Sequence, residues 1–284
     1  MSLIESSISY WNGHNVSLHR SFLSAEESLE YLGWRNDQYP GYIDLMPVKG
    51  FDGQCVLDYG CGPGHDLVGF SHFSNCHSLV GADVSSTSLS EASARLSLHQ
   101  CAPSLVLIDD SGILPFADNS FDHIHSSGVL HHVPDPGATL LELKRVLRPG
   151  GTINIMVYNY NSVYLHLYVA YQRSIVEGLP PELSLADRFK SSTDGVDCPI
   201  SRCYTPDQWI TLSRSSGFDC VFTGAAVSVF ELSILPVRFQ ALMDQRLPAE
   251  HRAFLRGLTF DEFGHPLSDG IKAGIDACFC LTKP

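Results

Sequence analysis

The sequence predicts an α/β fold: a doubly wound, mostly parallel sheet with helices on both faces. Two strand-to-helix units carry that prediction, together with the spacing between them. In the first, Cys55-Val56-Leu57-Asp58-Tyr59 is a short apolar run that meets Gly60, Gly62 and Gly64 and then an amphipathic run from Leu67. Such a run reads as a buried strand turning sharply into a helix. In the second, Ser78 to Val84 forms a strand ending in the acid Asp83, followed by a helical stretch over 85–98. Asp83 lies 23 residues beyond Gly60. That is the length of one βαβ crossover, which returns the second strand parallel to the first and brings both strand ends to one edge.

Size and charge narrow the function. With 284 residues and 44% apolar content, the chain can bury one enlarged core carrying a cap. A formal net charge of −13 and a pI near 5.3 argue against a polyanionic partner. A small-molecule substrate is expected, with no nucleic acid. The nine cysteines are odd in number and form no C-x-x-C pair, which predicts free thiols in a reducing compartment and no metal site. No segment approaches a membrane span and no basic leader precedes an apolar core, so the expected location is cytoplasmic.

At the glycine turn, Asp58 discriminates between ligands. Glycines at positive φ let a ligand approach bare backbone, and the helix that follows points unpaired N–H groups at it. A dinucleotide site keeps the strand before the turn apolar, because a carboxylate there repels a pyrophosphate. Counting from Gly60, the G-x-G-x-x-G pattern also needs glycine where His65 stands. The turn therefore suits a ligand carrying positive charge.

The other elements follow in order. Residues 1–53 are aromatic-rich, with a helix at Ala25 to Leu32 introduced by Ser24 and Glu27. They form either a lid over the pocket or a helix packed on the sheet edge. Ser104 to Ile108 is a third strand, and Asp109-Asp110-Ser111 turns away from it toward Leu114-Pro115-Phe116. A fourth strand begins near Phe121, and Ser126 falls in the loop after it, ahead of Leu130-His131-His132-Val133-Pro134. Asp135 caps a helix from Pro136 to Leu147, and Thr152 to Tyr158 is a fifth strand. A helix at Thr205 to Gly217 precedes strands at Phe218 to Thr223 and Ala277 to Thr282. The segments 159–204 and 224–274 are surplus to this core and are placed to roof the pocket. In the first, Tyr160, Tyr164, Tyr168 and Tyr171 read as a packing stripe, and Asp194, Arg202 and Tyr204 are candidates for contact with a polar acceptor.

Read together, the glycine turn after Asp58, the acid before Leu114-Pro115-Phe116, and the F-D, L-H-H-V-P-D and R-V-L-R-P-G-G blocks between Phe121 and Gly151 resemble the class I S-adenosylmethionine-dependent methyltransferases of the small-molecule, type 11-like kind. The resemblance implies seven strands in the order 3-2-1-4-5-7-6 with the last antiparallel. It also implies cofactor contacts at Asp58, Gly60, Cys61, Gly62, Gly64, Asp83, Val84, Asp110, Ser111 and Ser126. By the same resemblance, Asp83 takes the ribose hydroxyls and Asp110 the adenine edge. His131 becomes the candidate catalytic base, and His132 the weaker one. The chain then divides into a lid (1–53), the cofactor core (54–158), a cap insertion (159–204) and the rest of the core (205–284) with a second insertion at 224–274. The implied reaction is in-line methyl transfer to an oxygen or nitrogen of a small acceptor. Two rivals are a non-catalytic protein of this fold that binds a partner, and a nicotinamide oxidoreductase.

Overall fold

The computed structural model describes residues 3–109 and 112–284. The expected contacts at Asp110 and Ser111 lie outside the described residues. The central sheet contains β1 (Cys55–Tyr59), β2 (Ser78–Asp83), β3 (Ser104–Leu107), β4 (Phe121–Ser127), β5 (Leu147–Tyr158), β6 (Asp219–Ala226) and β7 (Asp276–Thr282). In space they run β3-β2-β1-β4-β5-β7-β6, with β7 antiparallel to both neighbours. This is the order the resemblance implied. It places the C-terminal ends of β1, β2, β4 and β5 and the start of β7 at one mouth.

Alternation along the strands separates the two sheet faces. Leu57, Ile124, Ile153, Ile155 and Phe279 face the main core, which Trp209 completes. The opposite parity gives Val56, covered by Phe51 and Phe70, and Cys278, covered by Tyr42 and Met46. Asp58, His125 and Asp276 share the parity of those two residues, so this second face is apolar in its depth and charged at its mouth.

Helices α1 (Leu3–Gly13), α2 (Ala25–Asp37) and α3 (Tyr42–Leu45) precede the sheet; α4 (His65–Phe73), α5 (Ser86–Leu98) and α6 (Pro136–Val146) connect its strands. Ser24, Ser85 and Asp135 cap α2, α5 and α6, each accepting a hydrogen bond from the backbone N–H three residues on. Two boundaries differ from expectation. β4 runs through Ser127, because Ser126 and Ser127 still pair with Ile155 and Met156, so Ser126 is a strand residue and not a loop residue. β5 begins at Leu147, since the Arg-Pro-Gly-Gly turn is absorbed as an irregularity in the ladder.

The two insertions pack on each other. The first holds a wide π-type helix (Tyr164–Val176) and α7 (Leu185–Thr193), and the second holds three short helices and a small three-stranded sheet. Val163, Leu167, Ala241, Leu247 and Leu255 form their shared core. Glu231 fastens this cap to the sheet by accepting bonds from the N–H groups of Ser228, Tyr164 and Ile275. α8 (Pro206–Ser215) then returns the chain to the sheet, its start fixed by a capping box between Thr205 and Gln208. All nine cysteines are free. Among the described residues, no helix is long and apolar enough to cross a membrane.

Candidate active site

Asp58 ends β1 with its carboxylate 2% exposed and its Oδ2 without a hydrogen-bond partner. Burial pushes its pKa up to about 7; Asp66 and Asp83 reinforce this, and His125 and Arg35 oppose it. Next to it, Arg35 of α2 binds Asp66 of α4 at 2.7 Å, and His125 Nε2 stands 3.5 Å from the same carboxylate. Burial would raise Asp66, but the guanidinium holds it well below the usual carboxylate range. Sequence reasoning missed Arg35, Asp66 and His125. Only the fold brings α2 over the start of α4, and no spacing rule connects residues in different elements.

The glycine turn makes space more than it donates bonds. Gly60 has φ +77° and lies under Val129, whose Cγ2 would be 2.3 Å from any added Cβ. The N–H groups of Gly60 and Cys61 both go to the Ala82 carbonyl, at 2.7 and 3.1 Å. Gly62 donates to Asp83 Oδ2 at 2.8 Å, Gly64 donates to the Cys61 carbonyl at 3.0 Å, and Pro63 has no N–H. Residues 60–64 therefore keep their N–H groups within the turn, and the donors expected to face a ligand are those of the helix that follows, from His65. A turn whose donors are already engaged offers little to a pyrophosphate.

Asp83 holds the neighbouring edge. Its Oδ1 accepts from Ser85 N at 2.8 Å and its Oδ2 from Gly62, and Val84 N–H also bonds the carboxylate, which leaves acceptor capacity for a further hydroxyl. Val84 is half-buried against the main core. Ser126 is fully buried and donates to the Tyr59 carbonyl at 3.1 Å, so its hydroxyl ties β4 to β1.

The two adjacent histidines are in opposite tautomers. His131 Nδ1 accepts from the Tyr158 backbone N–H at 3.3 Å, so in the neutral ring the proton sits on Nε2, which has no partner. Its ring stacks on Tyr158 with centroids 3.8 Å apart, and burial holds its pKa well below 6.5. His132 Nδ1 donates to the Ile200 carbonyl at 2.7 Å, which leaves an Nε2 lone pair 3.6 Å from Asp194 Oδ1. Asp194 follows α7 and accepts bonds from the Tyr158, Thr193 and Ser201 hydroxyls. His132, Asp194 and Cys198 also bring their ligand atoms within 4.8 Å of one another. There, however, burial pushes the Cys198 thiol up to about 12, and it donates to the Ile200 carbonyl. Arg202 makes no ion pair among the described residues and pins the carbonyls of Val133 and Pro134.

α1 closes over both halves of the site. Tyr10 donates its hydroxyl to the Asp194 carbonyl, Trp11 sets its ring 4.8 Å from His132, and Asn12 Oδ1 accepts from Ser85 and Ser86 at 3.2 and 3.3 Å. A sheet with two acids at neighbouring strand ends, a glycine turn between them and a roof over the crossover defines a nucleoside-type binding site at the topological switch point.

Comparison with known proteins gives the class. Residues 57–155 match the family model described as a methyltransferase domain. An uncharacterized methyltransferase of Schizosaccharomyces pombe is 36% identical over 129 residues, covering 42% of this chain and 45% of that protein. The sterol 24-C-methyltransferase of the same yeast is 28% identical over 188 residues, 64% of this chain and 48% of that one. This chain thus spans about half the length of these relatives. In fold, it matches a chain of the complex between the Haloferax volcanii Trm112 methyltransferase activator and a methyltransferase, with TM-score 0.56, 19% identity, and coverage of 92% and 96%. Residues 57–155 thus match a methyltransferase domain, set in a sheet with the strand order that the class I resemblance implied.

Proposed function

We propose that this protein transfers a methyl group from S-adenosylmethionine to an oxygen or nitrogen of a small acceptor. The observation that carries the reading is the orphaned, buried Asp58 oxygen beside a turn whose own N–H groups are engaged. Such a carboxylate fits the donor's ammonium, and the remaining lone pairs of Asp83 fit its ribose. The bound donor supplies an electron-poor methyl on sulfonium; the protein's part is to hold the acceptor in line with it and keep water out.

The histidine tautomers divide the acceptor chemistry. His132 Nε2 offers the lone pair that takes a proton, and Asp194 beside it stabilises the resulting imidazolium. His131 Nε2–H can only donate, so it orients the acceptor, and the base role expected of it passes to its neighbour.

The test pairs calorimetry with label transfer. S-adenosylhomocysteine binds and NAD does not, and methyl label from the donor passes to a small product in an extract of the protein's own cells. His132→Ala slows turnover by about 10²-fold or more, with homocysteine-product affinity unchanged. NAD uptake without heat from either sulfur nucleoside overturns the reading.

A further inference from the structure

The mouth of the sheet holds one acid that the cofactor reading leaves unused. Asp276 begins β7 opposite Tyr158 of β5 and Ala226 of β6. Its side chain is 4% exposed and makes no hydrogen bond to any described residue. Because it shares the parity of Cys278, which packs under Tyr42 and Met46, Asp276 points to the face covered by α3 and the turn before it. Tyr39 and Tyr158 flank it there; a charge on Asp276 is the main cause that raises the Tyr39 hydroxyl, whereas burial and then Asp194 lead in raising that of Tyr158, with Asp276 adding to them.

Its neighbours do not neutralise it. Glu231 is itself an acid and is already satisfied by Ser228, Tyr164 and Ile275. Arg35 is committed to Asp66 at 2.7 Å. Burial, with Glu231 adding to it, therefore holds the Asp276 carboxyl well above its usual range. A buried carboxylate in this position needs a cation or a proton. In the free protein that partner is a proton; the donor's ammonium is assigned to Asp58 on β1, with β4 and β5 lying between it and β7, so a cation that displaces the proton at Asp276 would come from the other substrate.

We infer that the acceptor carries a cationic amine nitrogen and that the Asp276 carboxylate, between Tyr39 and Tyr158, is its anchor. This inference rests on the methyltransferase reading and names the acceptor class within it. The carboxylate supplies charge recognition, and the tyrosine rings supply electron-rich faces suited to an ammonium. Three positive groups then meet the acids of the mouth: the donor's ammonium at Asp58, its sulfonium, and the acceptor's nitrogen at Asp276.

The experiment titrates the protein, saturated with S-adenosylhomocysteine, with alkyl and arylalkyl amines of graded size, each beside the alcohol of the same skeleton. Binding of S-adenosylhomocysteine alone checks the underlying reading first, and its absence counts against that reading. The expected result is that at least one amine binds about tenfold or more tightly than its alcohol, and that Asp276→Asn abolishes the preference without changing the affinity for S-adenosylhomocysteine. Amines that bind no better than their alcohols, including no binding by either, overturn the inference. An amine preference that persists in Asp276→Asn also overturns it. Tyr39→Phe serves as a second variant that keeps the carboxylate; it should retain the preference and weaken it only in part.

Discussion

At the scale of single residues, the site is a problem of keeping acids in a buried mouth. Asp58 pays for its position with a carboxyl pKa of about 7 in place of 3.8. Being raised, that pKa makes ionisation cost stability, so the cofactor-free protein loses stability as the pH climbs from 3.8 toward about 7. A ligand ammonium beside Asp58 lowers the pKa again and drives the proton out. Binding of S-adenosylmethionine near pH 7 is therefore expected to release up to one proton, and affinity should fall as the pH drops below that range. Calorimetry in buffers of different ionisation enthalpy measures this release, and Asp58→Asn should remove it. A release that survives in that variant assigns the proton elsewhere. Asp58, Asp83 and the glycines were readable from the sequence because strand, turn and acid are contiguous. Arg35, Asp66 and Asp276 were not, because their roles arise only when separate elements meet.

At the scale of elements, α1 acts as a strap. It holds the β2–α5 turn through Asn12, whose carbonyl oxygen gathers the hydroxyls of Ser85 and Ser86 and the Thr87 N–H at 3.4 Å. At the same time, Tyr10 reaches the cap through Asp194. An element tied at two points by a few bonds, none of them fully buried, opens at low cost. Asn12→Ala should thus loosen α1 by about 1 kcal/mol and speed amide exchange there while leaving the sheet protected; equal protection of α1 in both proteins would rule out the strap. The seven core strands were legible because apolar runs, turn signals and resemblance agreed. The end of β4 was misjudged because Ser126 and Ser127 read as loop residues, yet pairing with β5 and the bond to Tyr59 keep them in the strand. The π-type helix and the mutual packing of the two insertions were illegible, since tertiary contacts decide both.

At the scale of the whole molecule, the cap and the sheet are joined through the middle of the fold. Asn159 donates to the Gly274 and Asn161 carbonyls, and where both insertion ends meet Tyr160 donates its N–H to the Tyr204 carbonyl while Tyr204 donates its own to the Tyr158 carbonyl. Gly274 has no room for a side chain, because an added Cβ would lie 1.9 Å from the Ala226 carbonyl oxygen. Beneath this junction, Trp209 is fully buried, with Tyr204 at 5.0 Å and Phe279 of β7 at 6.1 Å. One side chain thus supports α8, the end of the cap segment and a strand inside the sheet. Trp209→Ala is expected to cost about 3–5 kcal/mol. If lid, cap and sheet form one cooperative unit, that loss must appear equally in every probe. The variant keeps Trp11 in α1 and Trp34 in α2 as its fluorophores, so fluorescence follows the N-terminal helices and far-ultraviolet dichroism follows the whole fold. Coincident urea transitions, both shifted to lower denaturant, are the expected result. A fluorescence transition left at its original midpoint would show that the N-terminal helices unfold separately from the sheet.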